Sequence, residues 1–198
     1  MHLIGDLGHS AILLPASLVL ILLLVQARRR QDALAFIVAL AGCLIGTLAG
    51  KLAIHACQAQ VLAIAVASPS GHASFSTAFY GCLALILAAG REDWQRAAIY
   101  VGTGALAISI GLSRVLVVAH TWPDVAIGLS IGALSVLVFQ LLRGPPRPVA
   151  MSARALAVGL PVGALLIVGI LLAARQWTPE PLIERAALRL DTFLSLCV

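Results

Sequence analysis

Six apolar runs, joined by short links that hold most of the charge, limit what this chain can fold into. They lie at 11–25, 33–56, 73–89, 97–119, 125–142 and 155–174. Several approach the roughly 20 apolar residues that a helix needs to span a bilayer. Of the 198 residues, 61% are hydrophobic and 11% are charged. A soluble domain of this length rarely carries so few charges. The expected fold is therefore all-α: a polytopic membrane protein with six transmembrane helices in one bundle. One domain takes up 1–198, and no sequence is left over for a separate soluble domain.

The links give the orientation. Those after the first, third and fifth runs carry Arg28, Arg29, Arg30, Arg91, Arg96, Arg143, Arg147 and Arg154. The opposite links offer only Lys51 and Arg114. Lysine and arginine concentrate on the cytoplasmic side of membrane proteins, so the arginine-rich links are expected inside and the N-terminus outside. Arg175, Arg185 and Arg189 depart from this pattern, but Glu180, Glu184 and Asp191 are mixed with them. The net charge of +5 thus reflects membrane orientation, and nucleic-acid binding is excluded as its explanation. Residues 1–10 lack the basic start of a secretory signal. Asp6 and His9 are expected there as part of a solvated outer terminus.

Chemistry concentrates in two stretches. Residues 113–124 read S-R-V-L-V-V-A-H-T-W-P-D, which sets Arg114, His120 and Asp124 at the end of an apolar run. Ionisable groups are costly there, and a functional site is the default reading. Arg114 can hold a phosphate or carboxylate with its planar fork of donors. His120 can act as nucleophile or proton carrier near neutral pH. Asp124 can fix the His120 tautomer and stabilise the charged ring. Residues 69–75 read P-S-G-H-A-S-F ahead of another apolar run. Such a helix start leaves backbone N–H groups pointing outward and binds anions, with His72 beside them in the first turn. Two histidines, an arginine and a helix N-terminus suggest phosphoryl transfer through a phosphohistidine.

The pattern S-R-x5-H-x3-D following P-S-G-H resembles the type 2 phosphatidic acid phosphatase family, whose superfamily includes the vanadium haloperoxidases. The motifs lie within 51–124. The resemblance implies that His120 attacks phosphorus, that Asp124 holds its ring, and that His72 protonates the leaving oxygen and then activates water. Lys51, Arg114, Ser113 and the amides around Ser70, Gly71 and His72 would hold the phosphate oxygens. From the residues alone, Ser113 could equally cap or pack. The family's first motif places an Arg-Pro pair after its lysine and six intervening residues. Here Gln58 and Ala59 stand there, so one phosphate clamp is absent or supplied from elsewhere.

Only Asp124 among the acidic residues lies near this site, too few for a two-metal cage. The expectation is a metal-independent enzyme with no cofactor. Its substrate would be a lipid phosphate or diphosphate, met at the periplasmic face of a bacterial inner membrane. The alternatives are a phosphotransferase using the same intermediate and a catalytically impaired lipid-binding protein. No lipid and no oligomeric state can be chosen from the residues.

Several smaller features complete the reading. Gly42, Gly46 and Gly50 form a small-residue stripe suited to close helix packing. Cys43 and Cys82 read as core residues, and no spacing supports a disulfide between Cys57 and Cys197. Trp122 fits an interfacial anchor or a lining of the lipid entrance, and His55 a site rim or a plain interfacial residue. Pro161 is expected to kink the last run. Residues 178–198 fit an interfacial helix or one docked on the bundle.

Overall fold

A computed structural model describes residues 5, 7–56, 68–146 and 169. Within them lie five helices and no strand: α1 Ser10–Gln26, α2 Arg30–Ala56, α3 Gly71–Leu87, α4 Asp93–Leu116 and α5 Trp122–Leu142. Three segments are long and apolar enough to cross a membrane, namely Arg30–Ile54, Asp93–Leu116 and Trp122–Leu142. The other two helices have 17 residues each, about 25 Å at the α-helical rise. The expected sixth span, the Pro161 kink and the C-terminal helix lie outside the described residues. So do Asp6, Cys57, Gln58, Cys197, the basic residues from Arg147 onward and the side chain of His55.

α3 is the centre of the bundle and packs against each of the other four helices. Its small residues make this possible: Ala73, Ser74, Ser76, Ala78, Cys82 and Ala84 are all buried. α5 approaches it through Gly128 and Gly132. A Cβ added at Gly128 would stand 2.6 Å from the Ser70 carbonyl oxygen, and one at Gly132 would stand 2.6 Å from that of Ser74. The expected stripe on α2 contributes less. Gly50 abuts Pro69 and Gly46 faces Ile131, but Gly42 has nothing near it. Close helix packing therefore depends more on α5 than the spacing on α2 predicts. Deeper in the bundle, Phe36 meets Phe79 and Phe139 edge to face, at 6.1 and 6.4 Å between ring centroids. This joins α2, α3 and α5, in the geometry that aromatic pairs prefer. Cys43 and Cys82 are free thiols in the same core.

The outer surface is apolar. Ile45, Val101, Leu134 and Leu141 are all exposed, the distribution expected of a bundle whose solvent is hydrocarbon. The helices run up and down, and the two ends differ. At one end Asp32 pairs with Arg29 and accepts the Gly144 N–H at 3.0 Å. There Arg143 Nη1 also donates to the Leu85 carbonyl at 2.9 Å. This is the arginine-rich end. The opposite end gathers the start of α1, the end of α2, the start of α3 and the α4–α5 junction.

Candidate active site

Asp124 organises the second end. It is the third residue of α5, and Thr121 caps that helix in a reciprocal box. The Thr121 hydroxyl accepts the Asp124 N–H, and Asp124 Oδ2 accepts the Thr121 N–H at 2.9 Å. Asp124 Oδ1 accepts the Ser68 N–H at 3.0 Å, and the Asp124 backbone carbonyl accepts the Ser70 N–H at 3.1 Å. One buried carboxylate thus binds the α4–α5 junction to the segment that begins α3. Isolated in an apolar medium the charge would be very costly, and these amide donors are what make its burial tolerable.

His120 lies one helical turn before Asp124. Its Nδ1 faces Asp124 Oδ2 at 3.6 Å, with the imidazole 16% exposed and the carboxylate 1%. That arrangement leaves Nε2 as the ring nitrogen directed elsewhere. Burial pushes the His120 imidazole below its ordinary value of 6.5, and the Asp124 carboxylate works against that shift. The net effect favours the neutral ring, the form with a lone pair to offer.

The turn that delivers His120 is built at a cost. α4 ends in a pair of bonds, Val118 N–H to Val115 carbonyl and Ala119 N–H to Arg114 carbonyl, at 2.9 and 3.0 Å. The motif needs a left-handed residue, and Val118 takes it at φ 58°. Glycine is usual at that position, and a β-branched residue there is strained. Arg114 is in the last turn of α4, half-buried, with no partner for Nε among the described residues. The Ser113 hydroxyl donates to the Ile110 carbonyl at 2.6 Å, back into its own helix.

The α3 start forms a second wall. Ser70 caps the helix by accepting the Ala73 N–H, and its own N–H goes to Asp124. The first-turn amides of Gly71 and His72 are then the donors that helix geometry leaves over. Lys51, buried near the end of α2, donates from Nζ to the Ser68 hydroxyl at 3.0 Å. Arg114, His9, His120 and Lys51 all lie within electrostatic reach of the His72 ring. The structure thus brings together Lys51, Ser70, Gly71, His72, Arg114, His120 and Asp124, with Ser113 turned toward its own backbone. Among the described residues, no three His, Cys, Asp or Glu side chains cluster as metal ligands.

Three residues join the site that the motifs did not mark. Ser68 links Lys51 to Asp124. Thr121 was legible as the first residue of a T-x-x-D capping box. His9, expected in a solvated terminus, is instead half-buried with its ring 5.3 Å from that of His72.

Comparison with known proteins finds similarity over the same part of the chain. The model of the PAP2 superfamily matches residues 52–145, a span that begins next to Lys51 and includes the other motif residues. The chain is 29% identical over 144 residues to an "Uncharacterized 22.5 kDa protein in cps region" of Klebsiella pneumoniae, covering 72% of this chain and 68% of that protein. It is 42% identical over 76 residues to "Phospholipid phosphatase 1" of Rattus norvegicus, covering 36% of this chain and 27% of that protein. No solved structure matches it significantly. Residues 52–145 of the chain are thus similar to the PAP2 superfamily, and part of that stretch to a phospholipid phosphatase.

Proposed function

We propose that the chain is a membrane phosphatase that hydrolyses a lipid phosphate or diphosphate through a phosphohistidine on His120, without a metal ion. Similarity to the PAP2 superfamily and the likeness to a phospholipid phosphatase support a phosphatase acting on lipid phosphates. The single observation that carries the mechanism is the contact of His120 Nδ1 with the buried Asp124 carboxylate.

In the first step His120 Nε2 attacks phosphorus, the N–P bond forms and the P–O bond to the lipid breaks. His72, protonated beside the anionic phosphate of the substrate, gives that proton to the leaving oxygen. Asp124 stabilises the positive charge that develops on the His120 ring. In the second step His72 removes a proton from water, the new O–P bond forms and the N–P bond breaks. Inorganic phosphate leaves and both histidines are restored. Lys51, Arg114 and the Gly71 and His72 amides neutralise the equatorial oxygens, which is most of the catalysis in phosphoryl transfer.

The same reading makes the bundle six helices, with the site at the periplasmic face of a bacterial inner membrane. Its support is the separation of arginines to the opposite end. Lipid tails then remain in the bilayer while the headgroup reaches the polar end. The test is phosphate release in detergent with EDTA, from a panel of lipid phosphates and diphosphates, beside His120→Ala. Turnover that survives EDTA and vanishes in the variant is expected. Release that needs a divalent ion, or that persists in His120→Ala, overturns the proposal. Loss of the lipid phosphate only in the presence of an acceptor alcohol, with the phosphoryl group recovered on that alcohol and no free phosphate, identifies a phosphotransferase.

A further inference from the structure

The segment before α1 is fastened over the site. The Tyr80 hydroxyl donates to the Leu7 carbonyl at 3.0 Å, and the Gly8 N–H donates to the Gly5 carbonyl at 3.0 Å. Gly8 is buried so closely that a Cβ would stand 2.4 Å from Ile110 Cγ2. A Cβ on Gly5 would stand 3.2 Å from Arg114 Nη1 and 3.4 Å from Ser113 Oγ. These glycines allow the chain to pass directly over α4 and the start of α3.

The same path delivers His9 to His72. His9 is the N-cap of α1, and its Nδ1 accepts the Ala11 N–H at 3.2 Å. Nδ1 is therefore unprotonated, and the proton of the neutral ring is on Nε2. Capping alone would be served better by Ser, Asp or Asn. The His9 ring also stands at 79° to that of His72, with 5.3 Å between centroids, in the edge-to-face geometry of a stable aromatic pair. One imidazole is thus anchored by its backbone bond and set against a second one that stands in the first turn of α3.

We propose that His9 is a positioning residue for His72, holding that imidazole in the orientation from which it protonates the leaving oxygen. The inference rests on the role given to His72 above. His72 sits in the first turn of α3, and a general acid displaced by about 1 Å loses up to about 100-fold in rate. His9 needs no contact with substrate to matter.

The test exploits leaving-group chemistry. Dioleoylglycerol phosphate and dioleoylglycerol diphosphate share a tail. Attack on the first expels an alkoxide, which needs a proton. Attack on the terminal phosphorus of the second expels a phosphate ester, which hardly does. His9→Asn keeps the capping acceptor and removes the ring, whereas His9→Phe keeps a ring and removes the acceptor. His9→Asn is expected to slow the monophosphate about 10- to 100-fold and the diphosphate by less than about threefold. His9→Phe is expected to lose less than His9→Asn on the monophosphate. All rates are those of the first step, read as release of the lipid leaving group in a single turnover, because the water step that His72 also serves is common to both substrates; read this way, His72→Ala must show the same selective loss in larger measure. Equal losses on both substrates for His9→Asn, or none on either, overturn the inference while leaving the role of His72 intact. Absence of selectivity in His72→Ala removes that role and the inference with it, as does a wild type that releases phosphate from neither lipid. The melting temperature of each variant shows whether a uniform loss comes from unfolding.

Discussion

Gly128→Ala adds one methyl group where α5 crosses the start of α3. The new Cβ would stand 2.6 Å from the Ser70 carbonyl oxygen, 3.1 Å from Ala73 Cβ and 3.3 Å from the Ser74 nitrogen. Two of these neighbours are backbone, so no side chain can swing aside. Bringing the first approach to ordinary van der Waals contact requires the helices to part by about 0.8 Å. Overpacking of this kind costs about 1–3 kcal/mol. The parting also pulls at the two bonds that tie this crossing together, Ser68 N–H to Asp124 Oδ1 at 3.0 Å and Ser70 N–H to the Asp124 carbonyl at 3.1 Å. Each bond lost removes about 1 kcal/mol more. The expected total is about 2–4 kcal/mol, and the His72 and His120 walls separate by a distance that costs about 100-fold in turnover. Gly42→Ala is the control, because nothing lies near that position. It should be neutral or gain up to about 1 kcal/mol from helix propensity. The assay is thermal unfolding and phosphate release of both variants in the same detergent. Gly128→Ala with wild-type stability and turnover would refute the claim that α3 and α5 meet through this glycine.

Other outcomes follow from the same geometry. Asp124→Asn keeps the side-chain shape but offers an NH2 group where an amide donor already points. The reasoning gives a loss of about 10³- to 10⁴-fold in kcat with a measurable fall in Tm. The His120 ring, followed by NMR in detergent, should titrate below 6.5 because burial disfavours its charged form. Asp124→Asn should lower it further, since the carboxylate acts to raise it. An upward shift on that substitution would contradict the contact. Val118→Gly relieves a left-handed valine that is 90% exposed, and unfolding should show a gain of about 1 kcal/mol. Lys51→Met leaves the Ser68 hydroxyl without its cation, and kcat/KM should fall about 100-fold if Lys51 holds a phosphate oxygen.

The sequence carried the motif residues clearly, because ionisable groups next to apolar runs are rare and their spacing is short. Arg114, His120 and Asp124 share one junction, and local geometry alone sets their mutual placement. The grouping of Arg28, Arg29, Arg30, Arg91, Arg96 and Arg143 in alternate links was legible for a similar reason, since such links fall at one end of an up-and-down bundle. What spacing could not convey was contact between segments distant in the chain. His9 and His72 are separated by two helices in sequence, and nothing in a ten-residue terminus shows that it folds back over the α3 start. The role of Ser68 was equally hidden, since it depends on a carboxylate in a different helix. The glycine stripe misled in part, because period four on α2 shows that a helix can pack closely but not on which side a neighbour lies. Gly128 and Gly132 repeat the same spacing on α5, where the neighbour is α3.

The most direct test of the central claim is to trap the intermediate. Protein turning over a lipid phosphate labelled with ³²P is quenched in base, which preserves phosphohistidine, and the labelled peptide is sequenced by mass spectrometry. The account predicts one modified residue, His120, with the label lost in acid and absent from His120→Ala. Label on another residue, or steady release of phosphate with no protein-bound label even in a variant whose second step is slowed, such as His72→Ala, would contradict it.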